Sequence, residues 1–370
     1  MRALAAVGVV STDGGTQIGL TDGADDFKAL TALKALKALK ALKALTALTG
    51  MTPDSMEHAM RRIVLTWVCA ILPAMFVAWG CGSDATDTPS AGGDGSKRIT
   101  IVCTTTMIAD LARVIAGDDA EVVGIMKAGE DPHVYEMRPR DTQAIAMADL
   151  VLMNGLHLEA QLDHVVENHA KGKVVRLAET EKIKPLGVDE VSGAPDPHCW
   201  FNVEYFIVFA ERARDAIAEV DPKHADAYRS RAATYIDELK LLHTWAGKRI
   251  AEIPRERRIM VTSHDAFQYL GKAYDIEVHA VIGMSTEQPP TGRDKIALQK
   301  LVIDRGAKAV FIETSVSAAL NDMVRQIADA TGAKIGGTLY SDSLGDPATP
   351  ESTYLGMFRH NIDTLAEALR

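Results

Sequence analysis

Short apolar runs alternate with helix-type patterns along the chain from residue 98 onward. The runs are rich in β-branched residues, whereas the segments between them repeat apolar positions every three or four residues. Such alternation predicts βαβ units and parallel sheets. Because the runs form two sets of four, we expect an α/β fold of two βα lobes, each with a four-stranded, mainly parallel sheet. The predicted strands are 99–103, 121–126, 150–153, 173–177, 258–262, 276–281, 308–312 and 334–337.

One long helical pattern separates the two sets of strands. It opens with Asp221 and Pro222, a typical cap and first residue of a helix. It continues to residue 254 and would be about 45 Å long. We therefore predict one long rigid α-helix over 222–254 that joins an N-terminal lobe, 98–221, to a C-terminal lobe, 255–370. Its apolar stripe consists of Ala225, Tyr228, Ala232, Tyr235, Ile236, Leu239, Leu242, Trp245 and Ile250.

Residues 60–81 have the layout of a secretory signal peptide. Two arginines precede about 17 apolar residues, and the segment ends in Ala78-Trp79-Gly80-Cys81. That ending resembles a bacterial lipobox, whose cysteine receives the lipid and becomes the mature N-terminus. A transmembrane anchor is the alternative, since the length is at its lower limit, and cleavage without lipidation is another. Pro73 and the small residues at the end favour a signal peptide, and we expect a membrane anchor through lipidated Cys81.

The segments on either side of this signal peptide do not have the pattern of a folded domain. Residues 1–59 contain a Lys-Ala-Leu repeat with a period of three, which does not match the 3.6-residue period of a helix. We interpret them as a translated upstream segment with Met60 as the true start, and an amphipathic basic arm is the alternative. Residues 82–97 lack any large apolar side chain and predict a flexible tether.

Composition narrows the function classes. The 370 residues are 47% hydrophobic and 24% charged, with a formal net charge of −10. This balance is that of a globular protein and excludes collagen-like and polytopic membrane classes. The acidic charge argues against nucleic-acid binding, which needs a basic surface. Phosphate-binding loops of the GxxxxGK[ST] type, HExxH pairs and GxSxG elbows are all absent from the sequence, so no hydrolytic machinery is recognisable.

Four side chains form the strongest candidate for chemistry. The tripeptide Asp-Pro-His occurs twice, ending at His133 and His198, and proline stiffens the backbone that presents each imidazole. A helix start with an incidental histidine is the alternative. His264 and Asp342 each follow a predicted strand, at the sheet edge where open α/β folds bind ligands. Three imidazoles and one carboxylate, two from each lobe, suit Zn²⁺, Mn²⁺ or Fe²⁺.

The remaining histidines and cysteines carry weaker signals. His157, His164 and His169 lie in a polar helical stretch and are interpreted as a solvated face. Glu313 ends a strand near the expected cleft, and a cap or a partner of a ligand is favoured over a ligand. Cys103 and Cys199 could be free or paired, and Cys199 could also be a thiolate ligand; an exported protein permits a disulfide. The sequence leaves these alternatives open.

Linked motifs give the chain a family resemblance from about Ile99 to Leu369. It resembles the zinc- and manganese-binding solute receptors of bacterial ABC importers, metal-binding lipoproteins once called adhesins. The resemblance implies two βα lobes joined by one long helix, and His133, His198, His264 and Asp342 as metal ligands. It also implies an ABC permease with its ATPase as partners. The motifs are GEDPHVYE from Gly129, NGLHLE from Asn154, DPHCWF from Asp196, TSHDAF from Thr262 and YSDSLG from Tyr340.

Two departures bear on which metal is carried. Zinc-specialised members often have a His-rich loop before the second Asp-Pro-His, but residues 187–195 contain no histidine. Many strict manganese members have Glu where this chain has His264. We expect a monomeric, extracytoplasmic, lipid-anchored receptor that carries one Mn²⁺ or Zn²⁺, with Fe²⁺ as a third option, and not an enzyme. The alternatives are a metal-dependent hydrolase, and an adhesin or structural lipoprotein with a stabilising metal.

Overall fold

The computed structural model describes residues 98–188 and 193–370. The predicted upstream segment, signal peptide and tether, which together make up residues 1–97, lie outside the described residues. Within the described ranges, no helix combines the length and the apolar character that crossing a membrane requires.

The N-terminal lobe is a four-stranded parallel sheet flanked by helices, as predicted. The strands have the spatial order β2-β1-β3-β4. Strand β3 is buried along its whole length, as expected for a parallel sheet covered on both faces. The strands are β1 (Thr100–Cys103), β2 (Glu121–Gly124), β3 (Leu150–Met153) and β4 (Lys173–Arg176). The helices are α1 (Thr106–Ala116), α2 (Pro139–Met147) and α3 (Ala160–His169).

Local signals in the sequence fix the ends of the lobe's first helix. The hydroxyl of Thr105 accepts a hydrogen bond from the backbone N–H of Ile108 and caps the start of α1. Gly117 ends the helix with φ +55°, a conformation that glycine adopts without steric cost. The helix therefore begins directly after β1 and packs its apolar face on the sheet.

The C-terminal lobe also contains four parallel strands, but they form two hydrogen-bonded pairs. Strand β5 pairs with β6, and β7 pairs with β8. Strands β5 and β7 lie side by side without being assigned to one sheet. The strands are β5 (Ile259–His264), β6 (Glu277–Ile282), β7 (Ala309–Glu313) and β8 (Lys334–Leu339), and the helices are α6 (Gln268–Tyr274), α7 (Gly292–Arg305) and α8 (Ala318–Thr331).

Where β5 and β7 lie side by side, side chains form hydrogen bonds with the backbone of both strands. The carboxylate of Glu313 accepts the backbone N–H groups of Ser263 and His264, at 2.7 and 2.9 Å. Asn321 pairs through its amide with the backbone N–H and C=O of Glu313. At this end, side-chain hydrogen bonds therefore replace the ladder that would complete the predicted four-stranded sheet.

Helices occupy the middle of the molecule. They are α4 (Val203–Val220), α5 (Ala225–Ala251) and α9 (Tyr354–Leu369), and a 3₁₀ turn, Pro222–His224, leads from α4 into α5. Helix α5 has 27 residues, about 40 Å, and lies within the predicted linker 222–254. Its buried stripe includes Tyr228, Leu239 and Leu242, and one apolar cluster contains residues of both lobes and of α5.

The C-terminal helix α9 adds a second connection between the lobes. Tyr354, its first residue, stacks on Phe206 of α4 with ring centroids 3.6 Å apart. Its backbone N–H donates to the buried carboxylate of Asp110 in α1. The chain thus passes between the lobes once through α5, and its last helix then packs against α1, α4 and α5. This shared helical core was not foreseen from the linker pattern alone.

Candidate metal centre

The four predicted ligand side chains lie together in the structure. Their candidate ligand atoms are all within 4.8 Å of one another. His133 Nε2 is 3.2 Å from His198 Nε2, and His264 Nε2 is 3.1 Å from the Oδ2 of Asp342. His198 and His264 are 0% exposed, Asp342 2% and His133 6%. The loop after β2 provides His133, the segment before α4 provides His198, and the carboxyl-end regions of β5 and β8 provide the other two.

Two candidate metal-ligand atoms of this cluster have no hydrogen-bond partner. They are His264 Nε2 and Asp342 Oδ1, and both are fully buried. Buried polar atoms are almost always hydrogen-bonded, so unsatisfied atoms on two side chains of one cluster require a specific explanation. Imidazole nitrogens and carboxylate oxygens in this arrangement provide lone pairs that a divalent cation would accept. The chemistry of the donor set therefore fits a transition-metal ion.

His198 is held by the aspartate of its own motif. Asp196 Oδ1 accepts the backbone N–H of His198 at 3.0 Å and lies 2.8 Å from its Nδ1. Both side chains are fully buried. A carboxylate at Nδ1 fixes the tautomer that leaves Nε2 free to bind metal. Asn154, at the end of β3, donates to the carbonyl of Pro197 and holds this loop from the other side.

His264 is held by Glu313 of the neighbouring strand. Glu313 Oε2 lies 2.6 Å from Nδ1 of His264, while Oε1 accepts the two backbone N–H groups at the end of β5. The Asn321 amide Oδ1 in turn is hydrogen-bonded to the Ser263 hydroxyl. One carboxylate thus fixes both the backbone and the ring of this histidine. Glu313 lies behind the imidazole and is not a member of the ligand cluster, in agreement with the role expected from the sequence.

Asp342 is positioned by serine hydroxyls. Its backbone N–H donates to the Oγ of Ser315 at 3.1 Å, and Ser315 Oγ also contacts Ser341 Oγ at 2.8 Å. The next residue, Ser343, accepts the backbone N–H of Gly129 from the N-terminal lobe at 2.8 Å. The loop that carries Asp342 is therefore attached to the loop that carries His133.

Comparison with known proteins decides the family. The profile described as zinc-uptake complex component A, periplasmic (ZnuA), matches residues 101–368. The chain is 38% identical over 309 residues to the manganese-binding lipoprotein MntA of Bacillus subtilis, with 82% of this chain and 98% of MntA covered. This chain belongs to the ZnuA family. The resemblance drawn from the sequence motifs is confirmed.

Solved structures support the same fold. The periplasmic zinc-binding protein TroA of Treponema pallidum superimposes with a TM-score of 0.70 at 33% identity, covering 74% of this chain and 99% of TroA. A manganese-bound periplasmic metal-binding protein of Candidatus Liberibacter asiaticus gives a TM-score of 0.66 at 27% identity, covering 74% of this chain and 100% of its own. The two-lobed α/β fold class is therefore confirmed, and ZnuA-family membership makes the chain a transport protein rather than an enzyme.

Charges in the ZnuA-family site support one another. Burial disfavours the imidazolium of His264, but the carboxylates of Glu313 and Asp342 outweigh it and hold the His264 pKa well above its usual value. Burial likewise opposes ionisation of Asp342, but the imidazole of His264 keeps the pKa of Asp342 below its usual range. Burial and the negative charge of Asp342 raise the pKa of Asp131 to about 6. Protons thus compete with a metal ion for this site.

The weaker sequence candidates lie outside the cluster. His157, His164 and His169 are exposed and do not belong to the ligand group found among the described residues. Cys103 and Cys199 are both free and buried, so the disulfide alternative is wrong. Burial raises the pKa of the Cys103 thiol to about 12 and raises that of Cys199 as well. Cys199 is not one of the grouped donors.

Sequence reasoning missed several residues that support the site. Thr286 donates to the carboxylate of Asp131, and Asn321 supports Glu313. Glu159 accepts the backbone N–H groups of Asn154 and Gly155 and the Thr104 hydroxyl. A single sequence gives no sign of contacts between such distant positions. The Asn-Gly-Leu-His-Leu-Glu motif contains three of these residues, Asn154, Gly155 and Glu159, and its glutamate was a signal that could have been used.

Proposed function

We propose that this chain captures one divalent transition-metal ion, Mn²⁺ or Zn²⁺, and delivers it to the permease of an ABC importer. The ligands are His133, His198, His264 and Asp342. The observation that carries the proposal is the convergence of these four buried side chains from both lobes, with donor atoms within 4.8 Å of one another.

The donor set favours a carried ion over a catalytic one. A catalytic zinc site keeps a coordination position open for water or substrate, whereas a closed site takes all four ligands from the protein. Here three imidazoles and one carboxylate can fill a tetrahedral shell, and three of the four side chains are at most 2% exposed. This supports binding and release of the ion as the function of the site, and it argues against the hydrolase alternative.

Delivery implies a position outside the cytoplasm. Relatives of the family include a metal ABC transporter substrate-binding lipoprotein, SloC of Streptococcus mutans, and such proteins work with a permease and its ATPase. For this chain we propose anchoring through lipidated Cys81, a tether over 82–97 and a monomeric receptor. The tether would reach about 20–25 Å root-mean-square, which would let the folded part approach a permease in the same membrane. Changing Cys81 to Ser should release the protein from the membrane fraction.

Native mass spectrometry with ligand variants tests the binding proposal. Protein purified without metal should take up one Mn²⁺ or Zn²⁺ per chain. Alanine at any of the four ligand positions should weaken binding by at least tenfold, because it removes one of only four donors. His164→Ala and His169→Ala are matched controls, since both histidines are exposed on α3. Strong loss in the controls, or none in the ligand variants, would refute the assignment.

A further inference from the structure

The four proposed ligands differ in their access to solvent. A cavity of about 750 Å³ lies beside the metal centre, and His133 is the only one of the four that lines it. His133 is also the most exposed of the four, at 6%. An ion that reaches the buried donors through this cavity therefore meets the His133 imidazole first.

The size and charge of the cavity suit a hydrated cation. At about 30 Å³ of liquid volume per water, a hexahydrated ion needs roughly 200 Å³, well below the cavity volume. Asp265, Glu287 and Asp294 line the walls and bring acidic groups to the path. A bare ion alone would need much less space than the cavity offers. The cavity is thus suited to admit an ion that still carries its water shell.

One wall of the cavity is the loop that joins β6 to α7. Residues 283–291 form no regular helix or strand, and several of them, including Met284 and Ser285, line the cavity. The Thr286 hydroxyl donates to Oδ2 of Asp131, across to the other lobe, at 2.6 Å. Oδ1 of the same carboxylate accepts the backbone N–H of His133 at 2.9 Å. A single carboxylate therefore joins the loop of one lobe to the ligand loop of the other.

We propose that metal ions enter and leave through this cavity, and that the Thr286–Asp131 hydrogen bond acts as a latch that sets the exchange rate. The inference rests on the proposed metal-binding function. When the latch opens, the loop 283–291 separates from the His133 loop and the cavity widens beside the first ligand. When it closes, the hydrogen bond to a carboxylate holds both loops over the ion. Thr286 is a gating residue in this scheme and does not touch the metal.

A gating role predicts a distinctive kinetic effect. Loss of the latch should accelerate both association and dissociation, because both directions pass through the opened loop. In a variant with damaged ligand geometry only, the metal ion would dissociate faster but would not associate faster. The equilibrium Kd should therefore change less than either rate constant when the latch alone is lost.

Thr286→Val tests the latch, because it keeps the side-chain shape and removes the hydroxyl. Thr286→Ser keeps the hydroxyl, and Thr234→Val makes the same change at an exposed position on α5 that does not line the cavity. Stopped-flow mixing with Mn²⁺ gives the association rate, and chase with excess EDTA gives the dissociation rate. Trp200, with its ring centroid 5.2 Å from that of His198, provides a fluorescence signal. Thermal unfolding of each metal-free variant monitors folding, and Thr286→Ala replaces the valine variant if that one does not fold.

We expect Thr286→Val to exchange Mn²⁺ about tenfold faster in both directions, the size of effect expected for a hydrogen bond to a charged group. Thr286→Ser and Thr234→Val should stay within about twofold of the wild type. Unchanged rates in Thr286→Val would overturn the latch, as would faster dissociation without faster association. If the wild-type chain binds only Zn²⁺, the same rates are measured with Zn²⁺. Failure of the wild-type chain to bind either ion would instead contradict the proposed function, so the two failures are distinguishable.

Discussion

At the scale of single residues, two of the three imidazoles in the candidate metal centre, those of His198 and His264, are held by a carboxylate that is not one of the grouped candidate ligands. Asp196 holds Nδ1 of His198 at 2.8 Å, and Glu313 holds Nδ1 of His264 at 2.6 Å. These bonds leave Nε2 as the donor toward the ligand cluster and restrict rotation of the rings. The entropy of ordering the ligands is then lost when the protein folds, rather than when the ion binds.

Replacing Glu313 by Gln should weaken metal binding by about 10- to 100-fold, the range typical of partners that orient a ligating histidine. The amide keeps the shape but loses the charge and one acceptor, so the backbone N–H groups of β5 and Nδ1 of His264 can no longer all be satisfied. Isothermal titration with Zn²⁺ or Mn²⁺ measures the change. Glu256→Gln, at an exposed position, is the matched control. Wild-type affinity in Glu313→Gln would contradict this role.

Glu159 should make the stability of the protein depend on pH. Burial is the main cause that raises its pKa from an ordinary 4.5 to about 7. Because the folded state favours the protonated acid, protonated Glu159 contributes to the free energy of unfolding. This contribution is complete below pH 4.5, is lost as the pH rises through about 7, and amounts to about 3 kcal/mol.

Glu159→Gln stays neutral and should remove this dependence. The measurement is urea unfolding of both metal-free proteins between pH 4 and pH 8. The free energy of unfolding of the wild type, relative to that of the variant, should fall by about 3 kcal/mol over this range. The free energy of unfolding of the control Glu256→Gln should change with pH in the same way as that of the wild type. A constant difference between wild type and Glu159→Gln would show that Glu159 does not titrate here.

The residues that the sequence predicted lie in short motifs, whereas those it missed make contacts between distant positions of the chain. The two Asp-Pro-His tripeptides contain both the ligand and the aspartate that accepts its backbone N–H. Thr286 contacts Asp131 across 155 residues of chain, and only folding brings them together. Local motifs therefore predicted the ligand cluster that the structure brings together, whereas the contacts that hold it depend on the tertiary structure.

At the scale of elements, the hydrophobic period predicted the ends of the strands to within two residues and those of α5 to within three. Strand β3 falls at the predicted residues, while β5 and β8 run two residues further than expected. The extension of β5 includes His264, so this residue ends the strand instead of following it. That β5 and β7 lie side by side without forming one sheet could not be predicted, because it depends on where the side chains of Glu313 and Asn321 lie.

Helix α5 should owe its stability to its buried stripe. Leu239 is 0% exposed and Leu241 is 69% exposed, so the two leucines form a matched pair on opposite faces. Leu239→Ala should lower the free energy of unfolding by about 2–5 kcal/mol, because it leaves a cavity in a closely packed core. Leu241→Ala should change it by less than about 0.5 kcal/mol. Denaturant unfolding measures both, and equal effects would argue against the assigned orientation of the helix.

At the scale of the whole molecule, the two lobes share a core and both contribute side chains to the candidate metal centre. One apolar cluster runs through α5 and residues of both lobes, and the C-terminal helix bonds to α1 of the first lobe. Such a core favours small loop movements over wide opening of the lobes, since separating them would expose apolar surface to water. In the proposed function, an ion would then be released by movement of loops such as 283–291. Bound metal would add stability by mass action, because only the folded chain has the site.

This architecture leads to a prediction about selectivity. The proposed donors are three imidazoles and one carboxylate, and zinc lies above manganese in the Irving–Williams order for nearly any nitrogen and oxygen site. The rigid carboxylate partners of His198 and His264 do not favour expansion of the shell, which Mn²⁺ would use more than Zn²⁺. We therefore expect Zn²⁺ to bind more tightly than Mn²⁺ in vitro, whichever ion the cell imports. In a competition titration at equal free concentrations, replacement of bound Zn²⁺ by Mn²⁺ would show that geometry outweighs ligand preference and that this order is wrong.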